Sequence, residues 1–499
     1  MDQRISQPMD QRQLPLLQAL RDCAQRPHAP FYTPGHKRGR GIPKPLRELL
    51  GDRPFYADLP ELPELDNLFA PEGVIGQAQA LAAELFGATR TWFLANGSTC
   101  GIEAAVLATC VPGDKLILPR NCHQAAIAAL ILSGAVPVFL PPDYDADWGI
   151  AHSIAPAAVA AALAQHPDAK AVMLVYPTYY GTCGDVGAIA QLAHQHDLPL
   201  IVDEAHGAHF AFHPDLPTAA LAAGADVVVQ STHKVLGAMT QASMLHCQGD
   251  RVDPERLSRA LKLVQSTSPS YLLLASLDAA RWQMAQHGRT LMQHTLELAA
   301  IARPQLATLP GVRLLSADDA DTPGFVALDS TRLTVDVSGL GLSGFAADEI
   351  LHTQLGVTAE LPALTHLTFI LSLGNTREDI QHLLQGFQAL VDVVNQAQNW
   401  SADLSQTGYP EAFPEEAAQS ALLALSPRAA FLAPSEAVPL AQAGDRLSAD
   451  IVCPYPPGIP LLIPGERITP GVLRYLSAVL NSGGVVTGLV DEQSVRVVM

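Results

Sequence analysis

Charge is scarce in this chain of 499 residues: Asp, Glu, Lys and Arg together make up 16%, against about 25% in an average soluble protein. Basic residues are the scarcer kind, 30 against 49 acidic, for a net charge of −19. That deficit argues against a nucleic-acid binder, which needs a basic face to meet phosphates. A negative surface attracts cationic small molecules, although it governs encounter more than chemistry. The seven cysteines (Cys23, Cys100, Cys110, Cys122, Cys183, Cys247 and Cys453) are never spaced C-x-x-C. Neither a disulfide framework nor a zinc site is implied, and a reducing compartment fits. The longest uncharged apolar run, Ala125 to Leu140, is broken by Gly134 and Pro137 and is too short to span a bilayer. The opening MDQRISQPMDQRQ lacks an apolar signal core. These absences predict a soluble, cytoplasmic protein with no membrane or nucleic-acid partner and no metal.

Apolar residues are plentiful, at 48%, and the length allows two or three domains. Residues 1–74 read as an N-terminal arm with one helix, Leu14 to Gln25, followed by proline-rich irregular chain. Over 75–250 the short apolar runs TWFLA, KLILP, VPVFL, AVMLVYP, LPLIVDE and DVVVQST alternate with helical stretches at 76–86, 99–110, 123–133, 156–166 and 186–197. Buried parallel strands have this look, and the alternation predicts an α/β domain with helices on both faces of a mostly parallel sheet. Residues 251–398 read as a long helix (269–307) and a smaller α+β unit with strands RLTVDV and HLTFILSL. A polar linker at 399–416 opens a C-terminal domain over 399–499.

Four segments carry groups suited to chemistry, each at a strand end, where open parallel sheets place their sites. DVVVQSTHK ends in Ser231, Thr232, His233 and Lys234; a lysine there can form a Schiff base if its amine is kept neutral. A solvated lysine is the plain alternative. LPLIVDEAHGAH sets Asp203 before His206 and His209. Its carboxylate could hold a proton on a pyridine nitrogen, join the two histidines around a metal, or merely cap a turn. TWFLANGST runs into a helix start at Ser98 and Thr99, which suits a phosphate and equally suits ordinary capping. PRNCHQA places His123 at another helix start, where it can stack on a ring, cap the helix or fill the core. Together they supply an anion cradle, a ring partner, a nitrogen partner and an amine, in that chain order.

With these segments in view, the chain resembles the Orn/Lys/Arg decarboxylase family of fold-type I pyridoxal-phosphate (PLP) enzymes, in its short bacterial form. The resemblance runs through FYTPGHKRGRG (31–41), NGST, PRNCH, YPTYYG (176–181), DEAHGAH, STHKVLGAMTQ (231–241), QSTSPSY (265–271) and PYPPGIPLLIPGE (454–466). It implies an aspartate-aminotransferase-like large domain, an arm lying over the active site, and homodimers or larger assemblies with shared sites. It also implies that Lys234 carries the cofactor, Asp203 meets the pyridine nitrogen and His123 stacks on the ring. Ser98, Thr99, Ser231 and His233 would serve the phosphate, His206 and Thr178 would lie near the ring, and Thr267 and Ser268 would reach the neighbouring subunit's phosphate. Nothing in the stretch 308–335 contributes to the likeness.

The implied activity is loss of the α-carboxylate from a basic amino acid, with arginine ahead of lysine and ornithine. Return of a proton to Cα falls to His233 or Lys234. A substrate cation needs an acidic partner, and Glu466, Asp58 and Glu61 are the candidates, though the run DLPELPELD (58–66) also reads as a solvated loop. An aminotransferase on this fold would grip the carboxylate with an arginine, for which the stretch from Gly356 to Asp379 offers only Arg377. Two other readings stay open: a different PLP reaction, or a protein that holds PLP without turnover.

Overall fold

The structure, a computed structural model, describes residues 8–396, 423–455, 458–491 and 493–499; the expected linker at 399–416 lies outside them. Seven strands form the central sheet: β1 (Arg90–Leu94), β2 (Lys115–Pro119), β3 (Val136–Leu140), β4 (Ala169–Val175), β5 (Leu200–Asp203), β6 (Val227–Gln230) and β7 (Ser243–Cys247). Their order is β1-β7-β6-β5-β4-β2-β3. Neighbours from β6 through β3 are parallel, while β7 runs antiparallel to both β1 and β6. Every residue of β5 and β6 is buried, as expected of strands covered on both faces. The α/β fold with a mostly parallel sheet is therefore borne out.

Strand β7 has no counterpart among the expected apolar runs. Its Ser243 and His246 are polar and fully buried, and local bonds satisfy the histidine: Nδ1 lies 2.8 Å from Thr91 Oγ1 and Nε2 lies 3.0 Å from Gln230 Oε1. The helices that matter to the site are α1 (Pro15–Gln25), α2 (Gly97–Thr109), α3 (Gln124–Ser133), the single turn α4 (Thr232–Val235), α5 (Pro254–Val264) and α6 (Tyr271–Ala307). Helix α2 sits close to the sheet because Gly101 has no side chain; a Cβ there would lie 2.7 Å from Val229 Cγ1. The expected long helix at 269–307 is α6, and α5 before it is an additional element started by the Asp253 cap and Pro254.

The N-terminal arm is pinned to α6 by a buried ion pair. Asp278 and Arg281 lie 2.5 Å apart. Asp278 accepts from the Leu16 and Leu17 amides at the open end of α1, and Arg281 donates to the Gln11 and Gln13 carbonyls. Further along, strands Arg313–Leu314, Arg332–Asp336, Leu361–Pro362 and His366–Ile370 make a four-stranded antiparallel sheet with its own core. The C-terminal unit has a separate core around Val452, Leu462, Leu476 and Val497.

One buried cation fastens that C-terminal unit to the large domain. Arg120, just past β2, donates to Glu466 through Nε (3.0 Å) and Nη2 (2.9 Å), and also to the carbonyls of Pro460 and Leu461. The two side chains are 1% and 3% exposed. Removing one partner of such a pair strands the other charge out of water. Glu466→Ala should accordingly destabilise the protein by about 3–5 kcal/mol, measured by chemical denaturation. A change under about 1 kcal/mol would mean that water reaches the guanidinium and that the pair is not a fastening.

Candidate active site

The carboxyl ends of β5 and β6 meet the starts of α2 and α3 in one cleft. Ser98, Ile102, His123, Ala125, Val175, Pro177, Tyr179, Asp203, Ala205, His206 and Lys234 line it. Asp203 is the last residue of β5, is buried, and accepts from the Ala205 amide at 3.2 Å. Burial pushes its carboxyl above the ordinary range, while the Lys234 charge and the Ala205 bond pull it back. Lys234 stands on the turn α4, directly after β6. Its Nζ lies 3.0 Å from His206 Nε2. Burial lowers its pKa; Asp203 and Glu360 raise it, and Arg332 adds to the lowering. The amine is thus biased toward the neutral, nucleophilic form while an anion sits within electrostatic reach.

Three imidazoles surround the pair, and all are biased toward neutrality. His123 caps α3, its Nδ1 accepting from the Ala125 amide at 3.2 Å, which requires that nitrogen to be unprotonated. Burial and the Lys234 charge push its pKa down to about 4. His206 is held well below its usual value, by burial first and then by Lys234 and Arg332. His206 Nδ1 is buried without a partner. His233 is partly buried and shifted the same way by burial and Lys234. On the opposite wall Ser231 donates to Ser98 at 2.7 Å, joining the end of β6 to the first turn of α2. Thr99 is exposed there, and the Thr232 hydroxyl is buried without a partner.

These groups fit the cofactor that the family likeness implies. A phosphate suits the Ser98, Thr99 and Ser231 hydroxyls at a helix start, a basic ring nitrogen suits Asp203, and an aldehyde suits Lys234. The unmet Nδ1 of His206 is the kind of buried group that a bound molecule satisfies. His206, His209 and Asp203 do not form a metal site. His209 Nε2 turns instead to Asp329 Oδ2 at 3.2 Å, and among the described residues no cluster of His, Cys, Asp or Glu is arranged to hold a metal ion.

Six other expected residues are absent from the cleft wall. Glu466 is the closed ion pair with Arg120 and is absent from the cleft wall, so it is no free partner for a substrate cation. Asp58 lies 3.0 Å from His36 Nε2, and Glu61 accepts from the Asn67 amide group at the surface. Thr178 lies beneath the wall, its hydroxyl 2.6 Å from that of Thr182, while Pro177 and Tyr179 on either side of it face the cleft. Thr267 and Ser268 are exposed, next to Ser266, whose amide donates to Asn96.

Three residues beyond those expected bear on the site. Tyr179 meets the His206 ring edge-on, with centroids 4.9 Å apart. Arg332, fully buried, donates to the His206 carbonyl at 2.9 Å and lies 3.8 Å from Asp329. An arginine from the small sheet does reach this region, and it is Arg332 rather than Arg377, which opens a distant helix. Glu360 is exposed and acts on both Lys234 and Arg332. A basic residue opening the strand RLTVDV was the visible signal for Arg332; nothing local marks Glu360.

The His123 shift has a consequence for stability. The unfolded chain takes up this proton near the ordinary 6.5, the folded chain only near 4. Its contribution is therefore complete above pH 6.5 and is lost as pH falls toward 4. His123→Asn, which keeps a capping acceptor, should lose less stability than wild type over that interval, by about 2–3 kcal/mol. Parallel curves from denaturation at several pH values would contradict the assigned shift.

Comparison with known proteins accounts for this arrangement. Residues 14–328 match the Orn/Lys/Arg decarboxylase major domain and residues 411–492 match the C-terminal domain of the same family. The chain is 39% identical over 483 residues to an arginine decarboxylase of Bacillus subtilis, covering 97% of each chain. It is 27% identical to a lysine decarboxylase of Pseudomonas aeruginosa, over 93% of this chain and 75% of that one. The crystal structure of a Francisella novicida lysine decarboxylase superimposes with a TM-score of 0.81 at 23% identity, covering 97% of this chain and 81% of that one. This chain belongs to the Orn/Lys/Arg decarboxylase family.

Proposed function

We propose that this protein is a PLP-dependent decarboxylase that converts arginine to agmatine and CO2. The observation that carries the proposal is the buried Lys234 amine, 3.0 Å from a neutral imidazole and within the field of the buried Asp203 carboxylate. Lys234 offers its amine to the cofactor aldehyde, and Asp203 keeps a proton on the pyridine nitrogen. His123 covers one ring face. Ser98, Thr99, Ser231 and His233 hold the phosphate, and His206 lies by the ring with its unpartnered Nδ1. When bound, PLP supplies an electron sink for the pair released as the carboxylate departs. The dry walls formed by Ile102, Val175 and Ala205 strip water from that carboxylate, and His233 or Lys234 then delivers a proton to Cα.

Arginine is favoured because the relative at 39% identity carries that name. Glu360 is the carboxylate best suited to meet its guanidinium, since the three acidic residues first considered are engaged elsewhere. The C-terminal unit and the arm enclose the same cleft in this proposal, and assembly into a homodimer brings Thr267 and Ser268 to the partner's phosphate.

Borohydride reduction of the PLP-loaded protein should fix a pyridoxyl group on Lys234, located by peptide mass spectrometry; an adduct on another lysine would refute the assignment. Asp203→Ala should lower kcat on the order of 10²–10³-fold, the size expected when one electrostatic partner of a reacting centre is removed, and a near-normal rate would discard its role. Product analysis with arginine, lysine and ornithine side by side decides the substrate: agmatine as the main product is expected, and cadaverine or putrescine in its place would reassign it. Glu360→Gln should raise KM for arginine about 10- to 100-fold, the worth of a charged hydrogen bond, with a smaller change in kcat; an unchanged KM removes Glu360 from the substrate site. Mixing Lys234→Ala with Thr267→Ala/Ser268→Ala protein should restore activity above either parent, and no gain would argue against shared sites.

A further inference from the structure

The strand-end cleft is built by the large domain, yet one edge of it meets the C-terminal unit at Gly458. The carbonyl of Gly458 accepts from the Gln124 amide at 3.0 Å, at the first residue of α3. Gly458 has φ +87°, and a Cβ built on it would lie 2.9 Å from His123 Nε2 and 3.0 Å from Cδ2. That is well inside carbon contact distance. The opposite edge of the same ring is fixed by the Ala125 amide on Nδ1. A side chain at 458 would therefore meet the imidazole on the edge opposite the one held by its own helix, from a residue 335 positions later.

The segment carrying Gly458 is itself anchored. Arg120 binds the Pro460 and Leu461 carbonyls and the Glu466 carboxylate, and Ile463 packs in the core of the large domain. Arg120 lies three residues before His123, so one short stretch of the large domain both grips the C-terminal segment and lies against Gly458.

We propose that Gly458 is a positioning residue for His123, and that the C-terminal unit thereby sets the ring that covers the cofactor. This rests on the proposed role of His123. Only glycine supplies both the positive φ and the missing Cβ. A side chain at 458 pushes the imidazole off its seat, and displacements of that size around a reacting centre are costly to rate.

The test uses PLP-loaded full-length protein and four variants: Gly458→Ala, Gly483→Ala, His123→Ala and the double variant His123→Ala/Gly458→Ala. Gly483 is the control, since it shares a positive φ (+82°) in the same unit but has nothing within 4 Å of its would-be Cβ. Two readouts are taken, the visible circular dichroism of bound PLP and kcat/KM for arginine. Gly458→Ala should alter the dichroism and lower kcat/KM on the order of 10- to 100-fold, with Gly483→Ala near wild type. Adding Gly458→Ala to His123→Ala should change neither readout further, because the clashing atoms are gone.

Gly458→Ala behaving like Gly483→Ala overturns the inference. So does an undiminished Gly458→Ala effect in the His123→Ala background. If Gly458→Ala does not fold, recovery of folding in the double variant supports the contact, and continued failure refutes it. Wild-type protein that takes up no PLP would instead sink the proposed function, and a silent His123→Ala would sink the role given to that ring.

Discussion

An amine and a carboxylate withdrawn from water together form a costly arrangement unless something else holds them in place. Here that work falls to two adjacent parallel strands. The backbone pairing of Asp203 with Val229 and the turn after Gln230 deliver Lys234 to the same cleft as the carboxylate. The strands are buried along their whole length, so the scaffold's stability comes from apolar packing that is indifferent to the site. The site can then keep polar groups poorly satisfied, as active sites commonly do. Unmet atoms on His206, Thr232 and Arg332 are what such a scaffold tolerates.

Histidine dominates the surroundings for the same electrostatic reason. A lysine or arginine against Lys234 would add a full positive charge in a weakly screening interior. Imidazoles supply hydrogen-bonding edges and flat faces while remaining neutral, and burial drives His123, His206 and His233 in that direction. Arg332, a fixed cation nearby, is balanced by Asp329. Burial alone would raise the pKa of Asp329, yet His209 and Arg332 hold it well below the usual carboxylate range. The small sheet thus contributes a buried ion pair whose field reaches the amine through the carbonyl-anchored His206.

Much of this could be read from the chain, and the division between legible and illegible is physical. Strand-end residues were recognisable because a buried parallel strand is an unmistakable apolar run and its last residue must face the sheet's carboxyl edge. Lys234, Asp203, His123 and Ser98 were singled out on that basis, and all four line the same cleft. Strand β7 escaped because its buried His246 is satisfied by Thr91 and Gln230, which no local pattern pairs with it. Glu466 was misread for a related reason: its partner Arg120 is 346 positions away, and no local pattern distinguishes a free carboxylate from a paired one. Thr178 was one residue out of phase, since an irregular turn does not announce which of its side chains face inward.

The fate of Glu466 also explains why the C-terminal unit matters to the large domain. A buried Arg–Glu pair adds little net stability over a well-packed apolar contact, but it is exacting about geometry. Arg120 demands two carbonyls and a two-pronged carboxylate in one plane, and the segment from Gly458 to Glu466 meets that demand in only one placement. An apolar patch would let the unit slide by an ångström without penalty. An ion pair with five satisfied contacts does not. Specificity of docking is therefore the gain, and it is the property required of a unit whose Gly458 is set beside His123.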